Sequence, residues 1–219
     1  MRVSAVIFDM DGLMVDTEPV YQVAWKQAAI ELGYDLDDTL YSTFVGRPTP
    51  ACEAIIIERF GPAFPLQRFR ERWPALWRSE VESHGIETKP GLEEILALVE
   101  SHGLPMAVAT SSEAEYVEVT LRQAGLANRF DAMVTGDEID RGKPDPDIYL
   151  EAARKLGVPP SDCVAFEDSD AGILAIQRAG MTGILVPHWP ASQRAVQAAF
   201  RVVETLHEAR AVLTLLISP

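Results

Sequence analysis

The 219-residue sequence predicts an α/β fold: a doubly wound parallel sheet core with an inserted all-helical domain. An apolar run near the N-terminus is followed directly by acidic residues, and residues 17–85 then show helical spacing without a strand-like run. Beyond residue 91, short apolar runs alternate with amphipathic segments, which is typical of βαβ units. We therefore predict a core from residues 1–16 and 86–219, and a helical domain from residues 17–85.

The first elements are a strand and a helix. Residues Val3–Phe8 form a β-branched, apolar run that predicts a buried strand. Apolar residues then recur at intervals of three and four from Val20 to Leu32, with Thr17 as a candidate N-cap and Gly33 as a stop.

The rest of the inserted segment keeps this helical character as far as His84. Residues Ala51–Phe60 predict one helix, and Pro74 is expected to kink or split the next, because proline cannot donate the helix hydrogen bond. We expect Trp73 and Trp77 to pack in a core rather than bind a ligand.

The second half alternates between helices and strands. The predicted helices are Leu92–Val99, Glu113–Ala124, Asp147–Leu156 and Ala171–Ala179, followed by a helix-rich tail from Ala191 to Leu216. The predicted strands are Met106–Ala109, Ala132–Thr135, Cys163–Phe166 and Gly183–Val186. In such sheets ligands bind beyond the carboxyl ends of the strands, so an insertion after the first strand is placed to cover the site as a lid.

Composition narrows the class of partner. A formal net charge of −14 at pH 7 opposes binding to nucleic acid or anionic membranes, so we expect a small soluble ligand. Cys52 and Cys163 lack the spacing of a disulfide framework or metal site and are expected to be buried. No targeting segment, coiled-coil seam or exposed apolar repeat is visible, so a cytoplasmic monomer is expected.

Polar residues occur where the predicted strands end, and one lysine follows the third strand. Carboxylates at the ends of buried strands are costly to ionise unless a cation or several hydrogen-bond donors compensate. Oxygen ligands of this kind suit Mg²⁺, whose usual companion is a substrate phosphate, so the pattern indicates phosphoryl transfer. The residues are Asp9, Asp11, Thr110, Ser111, Lys143, Glu167 and Asp168.

These residues resemble the four motifs of the haloacid dehalogenase superfamily of phosphohydrolases, whose core is Rossmann-like. The matching stretches, in order along the chain, are Asp9-x-Asp11-Gly12, Thr110, Lys143-Pro144 and Glu167-Asp168. The resemblance implies that Asp9 attacks phosphorus to form an aspartyl phosphate. It also implies that Asp11 protonates the leaving oxygen and later activates water.

The same resemblance assigns the remaining motif residues. Thr110, with the backbone of Ser111, would hold the phosphate, and Lys143 would stabilise the transferred charge. Mg²⁺ would be bound by Asp168, supported by Glu167, with an oxygen of Asp9 and the backbone carbonyl of Asp11. Taken singly, Thr110 could equally be a helix cap and Lys143 a surface charge. Ser169 or Asp170 can cap the helix after the last motif, which leaves Asp168 available for the metal.

The inserted helices resemble the small helical cap of the β-phosphoglucomutase-like branch. Residues Asp16-Thr17-Glu18-Pro19 correspond to its hinge, and Phe44-Val45-Gly46-Arg47-Pro48 to the cap loop that faces the site. Gly46 and Arg47 are the predicted substrate-binding residues of the cap, since a guanidinium can bind phosphate or sugar hydroxyls. We expect a phosphatase of a small phosphorylated metabolite such as a sugar phosphate.

Several alternatives share the fold. A β-phosphoglucomutase-like mutase would use a cap histidine after the hinge, but Tyr21 stands near that position. A dehalogenase works without the second aspartate, whereas Asp11 is present. A phosphonate-cleaving enzyme needs a cap lysine, and Lys26 is the only lysine before Lys89. The chain could also be a catalytically silent binding protein, since a fold alone does not establish activity.

Overall fold

The computed structural model describes residues 2–44 and 49–217. Its described residues divide into two compact units, one from Met1–Asp16 with Glu87–Pro219 and one from Thr17–Ile86. The first unit contains a six-stranded sheet in which every neighbouring pair is parallel, so the predicted α/β fold is confirmed. Among the described residues, no helix combines the length and apolar character needed to span a bilayer.

The strand order places the N-terminal strand in the middle of the sheet. The order is β3-β2-β1-β4-β5-β6, so the chain builds outward from β1 on one side and then returns to build on the other. Ile7 of β1 lies opposite Ala107 of β2 and Ala165 of β4. The ends of β1, β2 and β4 therefore meet where the order reverses, which is where open parallel sheets bind ligands. The strands are β1 (Ala5–Phe8), β2 (Met106–Ala109), β3 (Ala132–Val134), β4 (Cys163–Glu167), β5 (Thr182–Leu185) and β6 (Arg201–Val202).

Helices flank this sheet, and a buried apolar core lies beneath them. Alternate residues of β1 such as Ala5 and Ile7 pack with residues of α7 and α8, including Ile148 and Ile173. Cys163 belongs to this core and is buried, as predicted. The helices of the unit are α5 (Leu92–Ser101), α6 (Ala114–Gln123), α7 (Asp147–Leu156), α8 (Asp170–Arg178), α9 (Gln193–Ala198) and α10 (Leu206–Ile217), with short 3₁₀ turns at Gly136–Glu138 and Pro160–Asp162.

The unit formed by Thr17–Ile86 is helical and has its own aromatic core. The ring of Trp25 contacts those of Phe44, Phe69 and Trp73 there, with centroids 5.3 to 5.9 Å apart. Trp77 is 1% exposed, which confirms that these tryptophans pack. Its helices are α1 (Glu18–Glu31), α2 (Asp38–Ser42), α3 (Thr49–Phe60) and α4 (Leu66–His84).

The structure refines three local predictions. Helix α4 is not split at Pro74, and Phe69 and Trp77 are buried on either side of this proline. Thr17 precedes α1 but makes no capping hydrogen bond, and a proline occupies the first turn instead. The C-terminal tail is helix-rich, as predicted, with α9 and α10, but it also contains the short edge strand β6, next to which Phe200 N donates to Gly183 O.

Candidate active site

The sheet brings four of the predicted polar residues to one place. Asp9 directly follows β1 and Thr110 directly follows β2, while Glu167 ends β4 and Asp168 follows it. Asp9, Thr110 and Glu167 are buried, with no more than 6% of each residue exposed. A buried sheet of short apolar strands therefore delivers ionisable groups to its carboxyl edge, as predicted.

Lys143 joins this group from the loop before α7. Its ammonium donates to Asp9 Oδ1 at 2.5 Å, to Glu167 Oε1 at 2.6 Å and to the carbonyl oxygen of Ala109 at 3.1 Å. Only 6% of the Lys143 side chain is exposed. An ammonium has three N–H donors, so every donor is engaged and the charge is held beside Asp9.

Both carboxylate oxygens of the buried Glu167 accept hydrogen bonds, which fix the position of this side chain. Its Oε1 accepts from Lys143 and from the Tyr149 hydroxyl, at 2.6 and 3.1 Å. Its Oε2 accepts from the backbone N–H groups of Asp168 and Ser169 and from the Ser169 hydroxyl, at 2.7 to 2.9 Å. Burial opposes ionisation, but Lys143 and Ser169 outweigh it, so the pKa of Glu167 is lowered.

The pKa values of Asp9 and Asp168 are raised, whereas that of Glu167 is lowered. Burial raises the pKa of Asp9 to about 8, with Lys143 opposing the rise and Glu167 adding to it. Burial, followed by the charges of Glu167 and Asp9, raises the pKa of Asp168 to about 9. Burial is therefore the main reason that both carboxyls resist ionisation, and at Asp168 the negative charges of Glu167 and Asp9 add to it.

The three carboxylates fit the requirements of a divalent cation. One oxygen from each of Asp9, Glu167 and Asp168 lies within 4.8 Å of the others. A set made only of oxygen atoms is the kind that Mg²⁺ or Ca²⁺ prefers, and a cation there would offset the cost of ionising Asp9 and Asp168. The Asp11 carboxylate is not a member of this cluster.

The Asp11 side chain is held instead by two hydroxyl groups. Ser112 Oγ donates to Asp11 Oδ2 at 2.7 Å and Thr110 Oγ1 donates to the same oxygen at 3.3 Å. The Thr110 hydroxyl also accepts from the backbone N–H of Ser112 at 3.1 Å. Ser111, predicted to bind substrate, is exposed and does not share these contacts.

Two glycines let these groups approach so closely. A Cβ on Gly12, whose φ is +80°, would lie 2.2 Å from Asp168 Oδ2. A Cβ on Gly172, in the first turn of α8, would lie 1.6 Å from Glu167 Oε1. That turn is capped by Ser169, whose Oγ accepts from Gly172 N at 3.1 Å, so the predicted cap is confirmed and Asp168 is left for other contacts.

Sequence reasoning missed Ser112 and Tyr149. Ser112 adjoins the predicted pair Thr110 and Ser111, and the third hydroxyl of that Thr-Ser-Ser run was the available signal. Tyr149 was hidden as one apolar position of α7, and no sequence pattern marks its hydroxyl. Burial, followed by the charge of Glu167, raises the pKa of Tyr149 well above its ordinary range, so the phenol stays a donor.

Other predicted residues lie in the helical unit or outside the described residues. Gly46 and Arg47 fall outside the described residues, so their predicted role stays a prediction. Lys26, the lysine considered for imine chemistry, forms an ion pair with Asp38 at 2.7 Å. Tyr21 packs its ring against Trp73 and Trp77, with centroids 5.8 and 5.9 Å away.

Comparison with known proteins agrees with this arrangement. The phosphorylated carbohydrates phosphatase of Thermotoga maritima is 34% identical over 209 residues, which cover 95% of this chain and 89% of the relative. The fructose-1-phosphate phosphatase of Escherichia coli is 37% identical over 185 residues, which cover 84% of this chain and 96% of the relative. A Thermotoga maritima crystal structure provisionally assigned as a β-phosphoglucomutase matches with a TM-score of 0.83 and 33% identity, over 98% of this chain and 99% of the other.

The family-level match covers the motifs described above. Residues 3–180 match the model of the haloacid dehalogenase-like hydrolases, and this range contains Asp9, Asp11, Lys143 and Asp168. The chain therefore belongs to the haloacid dehalogenase-like hydrolase family.

Proposed function

We propose that this hydrolase is a Mg²⁺-dependent phosphatase of a small phosphorylated metabolite, with sugar phosphates as the first class to test. The observation that carries the proposal is Asp9, a buried carboxylate held by Lys143 beside two further carboxylates that could share a cation. A second acid, Asp11, lies two residues further along the chain and is held separately. Related proteins of this length act on phosphorylated carbohydrates and on fructose 1-phosphate, which supports the substrate class.

The proposed chemistry begins with Asp9 as nucleophile. Its carboxylate attacks phosphorus, the bond to the leaving oxygen breaks, and an aspartyl phosphate forms. Lys143 reduces the repulsion between this carboxylate and the anionic phosphate because its ammonium lies 2.5 Å from Asp9 Oδ1. Thr110, with the backbone of Ser111, would hold the phosphate oxygens at the end of β2.

Asp11 completes the proposed cycle as acid and then base. It gives a proton to the leaving oxygen and later takes one from the water that hydrolyses the aspartyl phosphate. The hydroxyls of Ser112 and Thr110 orient this carboxyl, and its position outside the cluster of Asp9, Glu167 and Asp168 separates proton transfer from charge neutralisation.

A bound Mg²⁺ would neutralise charge on the phosphate and on the carboxylates. We infer that Asp168 and one oxygen of Asp9 hold it, with the backbone carbonyl of Asp11 and with Glu167 as support. Glu167 already accepts five hydrogen bonds, which favours a supporting role for it. Asp168 is the carboxylate whose raised pKa a cation would relieve most directly.

We infer that the helical unit acts as a cap that selects substrates. The predicted cap spans residues 17–85, and the compact helical unit spans Thr17–Ile86. Gly46 and Arg47 remain the proposed substrate contacts of that cap. The cytoplasmic location and the monomeric state remain predictions.

Hydrolysis is preferred to a mutase reaction because of Tyr21. A mutase needs a proton-transferring cap residue for the second sugar hydroxyl, and this chain has no histidine between Met1 and Glu82. The Tyr21 ring instead belongs to the aromatic core of the helical unit. Phosphate release without formation of an isomeric sugar phosphate would separate the two reactions.

The direct experiment measures phosphate release from para-nitrophenyl phosphate and a panel of sugar phosphates, with and without Mg²⁺. We expect Mg²⁺-dependent release that Asp9→Asn reduces to the limit of detection. Asp35→Asn, an exposed acid of the helical unit, serves as the control and should retain activity. The absence of turnover in the wild type on every substrate, or an Asp9→Asn protein as active as the wild type, would favour a binding protein instead.

A further inference from the structure

The hydroxyl of Tyr149 lies at the centre of the active-site network although no substrate atom needs to touch it. It donates to Glu167 Oε1 at 3.1 Å, the same oxygen that accepts from Lys143 at 2.6 Å. We propose that Tyr149 is a positioning residue that holds Glu167, and through it Lys143, in line with the Asp9 nucleophile. This proposal rests on the phosphatase function proposed above.

Lys143 is held beside Asp9 through its ammonium group. Each of its three donors has one acceptor, on Asp9, Glu167 and Ala109. Ala109 O belongs to the backbone of β2 and is fixed, whereas Glu167 can rotate about its terminal side-chain bond. The orientation of the Glu167 carboxylate therefore decides whether the ammonium stays directed at Asp9.

The two oxygens of the Glu167 carboxylate are held by different parts of the fold. Oε2 is fixed by three donors from the start of α8. On Oε1, Tyr149 is the partner that comes from a separate rigid element, since Lys143 belongs to a loop. Without the Tyr149 hydroxyl, Lys143 would be the partner that remains on Oε1, although Oε1 is the atom that positions Lys143. The two side chains could then shift together.

Residue 149 is a tyrosine and not a phenylalanine, which points to a role for its hydroxyl. The residue is fully buried on α7, between Ile148 and the alanines that pack against the sheet. Phenylalanine would fill this volume without burying a hydroxyl, so the polar atom needs a reason to be there. The Lys143 ammonium also lies 5.1 Å from the Tyr149 ring centroid, and this cation–π contact would survive in Tyr149→Phe.

Tyr149→Phe therefore isolates the hydroxyl. We compare kcat and KM for a sugar phosphate and for para-nitrophenyl phosphate, well below the melting temperature of each protein. Removing a residue that orients an active-site group commonly costs ~10-fold to ~100-fold, and we expect kcat to fall by about 10-fold with KM changed much less. Tyr34→Phe, which removes a phenol that donates to Ala63 O in the helical unit, should leave kcat unchanged.

A second readout avoids catalysis. In metal-free protein, the ¹H–¹⁵N signal of the Lys143 ammonium reports how well its protons are protected from solvent exchange. We expect protection in the wild type and faster exchange in Tyr149→Phe, because the lysine loses a fixed partner.

An active wild type, together with a Tyr149→Phe protein of unchanged kcat and unchanged ammonium exchange, would overturn the positioning role while leaving the phosphatase function intact. A wild type that is itself inactive would instead contradict the proposed function.

Discussion

At the scale of single residues, the distribution of charge explains why two acids separated by one residue can do different work. Asp9 lies among Lys143, Glu167 and Asp168, whereas Asp11 is bonded to the hydroxyls of Thr110 and Ser112. The sequence located both acids, but only the folded chain shows which neighbours each one has. Each environment leads to a separate prediction.

Ser112→Ala should weaken proton transfer by Asp11. The change removes the 2.7 Å donor to Asp11 Oδ2, so kcat/KM should fall by about 10-fold for sugar phosphates, a part of the 10²–10⁴-fold that general acid catalysis contributes. The kcat/KM for para-nitrophenyl phosphate should fall less, because its leaving group needs little protonation. Steady-state kinetics on both substrates provide the measurement.

The control for this prediction is Ser101→Ala, which removes an exposed hydroxyl bonded to Leu98 O and should have no effect on activity. In the Asp11→Asn background, Ser112→Ala should add little further loss, since the two residues act as a unit. Full additivity of the two losses would show that Ser112 acts independently of Asp11.

The raised pKa values of Asp9 and Asp168 predict how stability depends on pH in metal-free protein. Because folding makes these carboxyls bind protons more tightly, they stabilise the fold below their ordinary pKa. That contribution is lost as pH rises toward the folded pKa values of about 8 and about 9. Mg²⁺ competes with these protons, so it should raise the melting temperature more at about pH 9 than at about pH 6.

Thermal melts of the wild type and Asp168→Asn, with and without Mg²⁺, check this prediction. The variant should show a weaker dependence on pH and a smaller effect of Mg²⁺, because one titrating ligand has been removed. Equal Mg²⁺ effects at both pH values, or an unchanged response in Asp168→Asn, would argue against Asp168 as a ligand.

At the scale of elements, the start of α8 is the part of the fold that the active site constrains most. Gly172 lies in its first turn, where Glu167 occupies the space that a side chain would fill. In most helix interiors Gly→Ala stabilises by roughly 1 kcal/mol, but here we expect Gly172→Ala to destabilise by roughly 1–3 kcal/mol through overpacking. It should also reduce kcat, since Glu167 would be pushed away from Lys143.

Chemical denaturation and steady-state kinetics of the same Gly172→Ala protein test both effects. The exposed change Gln177→Ala on the same helix should alter neither. A stabilised and fully active Gly172→Ala protein would show that Glu167 does not need its present position.

Most elements were predictable because their apolar residues recur with the spacing of a helix or a strand and are the residues that the fold buries. The strands of the sheet interior are short apolar runs, and α7 begins and ends where its pattern does, at Asp147–Leu156. Strand β6 was missed because its two residues, Arg201–Val202, are too few to show an alternation of apolar and polar residues. It joins the sheet through backbone pairing with β5, which the sequence does not mark. The sequence left open whether Pro74 kinks or splits α4, and the helix stays in one piece because tertiary packing of its flanking residues overrides local propensity.

At the scale of the whole molecule, the meeting of the polar side chains of the site was predictable because the carboxyl ends of neighbouring parallel strands lie at one edge of the sheet. Asp9, Lys143 and Glu167 are far apart in the chain, yet their side chains meet at 2.5 and 2.6 Å. The contributions of Ser112 and Tyr149 depend on side-chain directions that no spacing rule provides. The residues proposed to select the substrate, Gly46 and Arg47, fall outside the described residues, so their role stays a prediction.

The central claim is that Asp9 carries the phosphoryl group. Beryllium fluoride mimics a phosphoryl group on a carboxylate, so a crystal structure of the protein with Mg²⁺ and beryllium fluoride tests the claim most directly. We expect an adduct on a carboxylate oxygen of Asp9 with Lys143 beside it. An adduct on any other residue, or none under conditions where the enzyme turns over, would contradict the role of Asp9 as nucleophile.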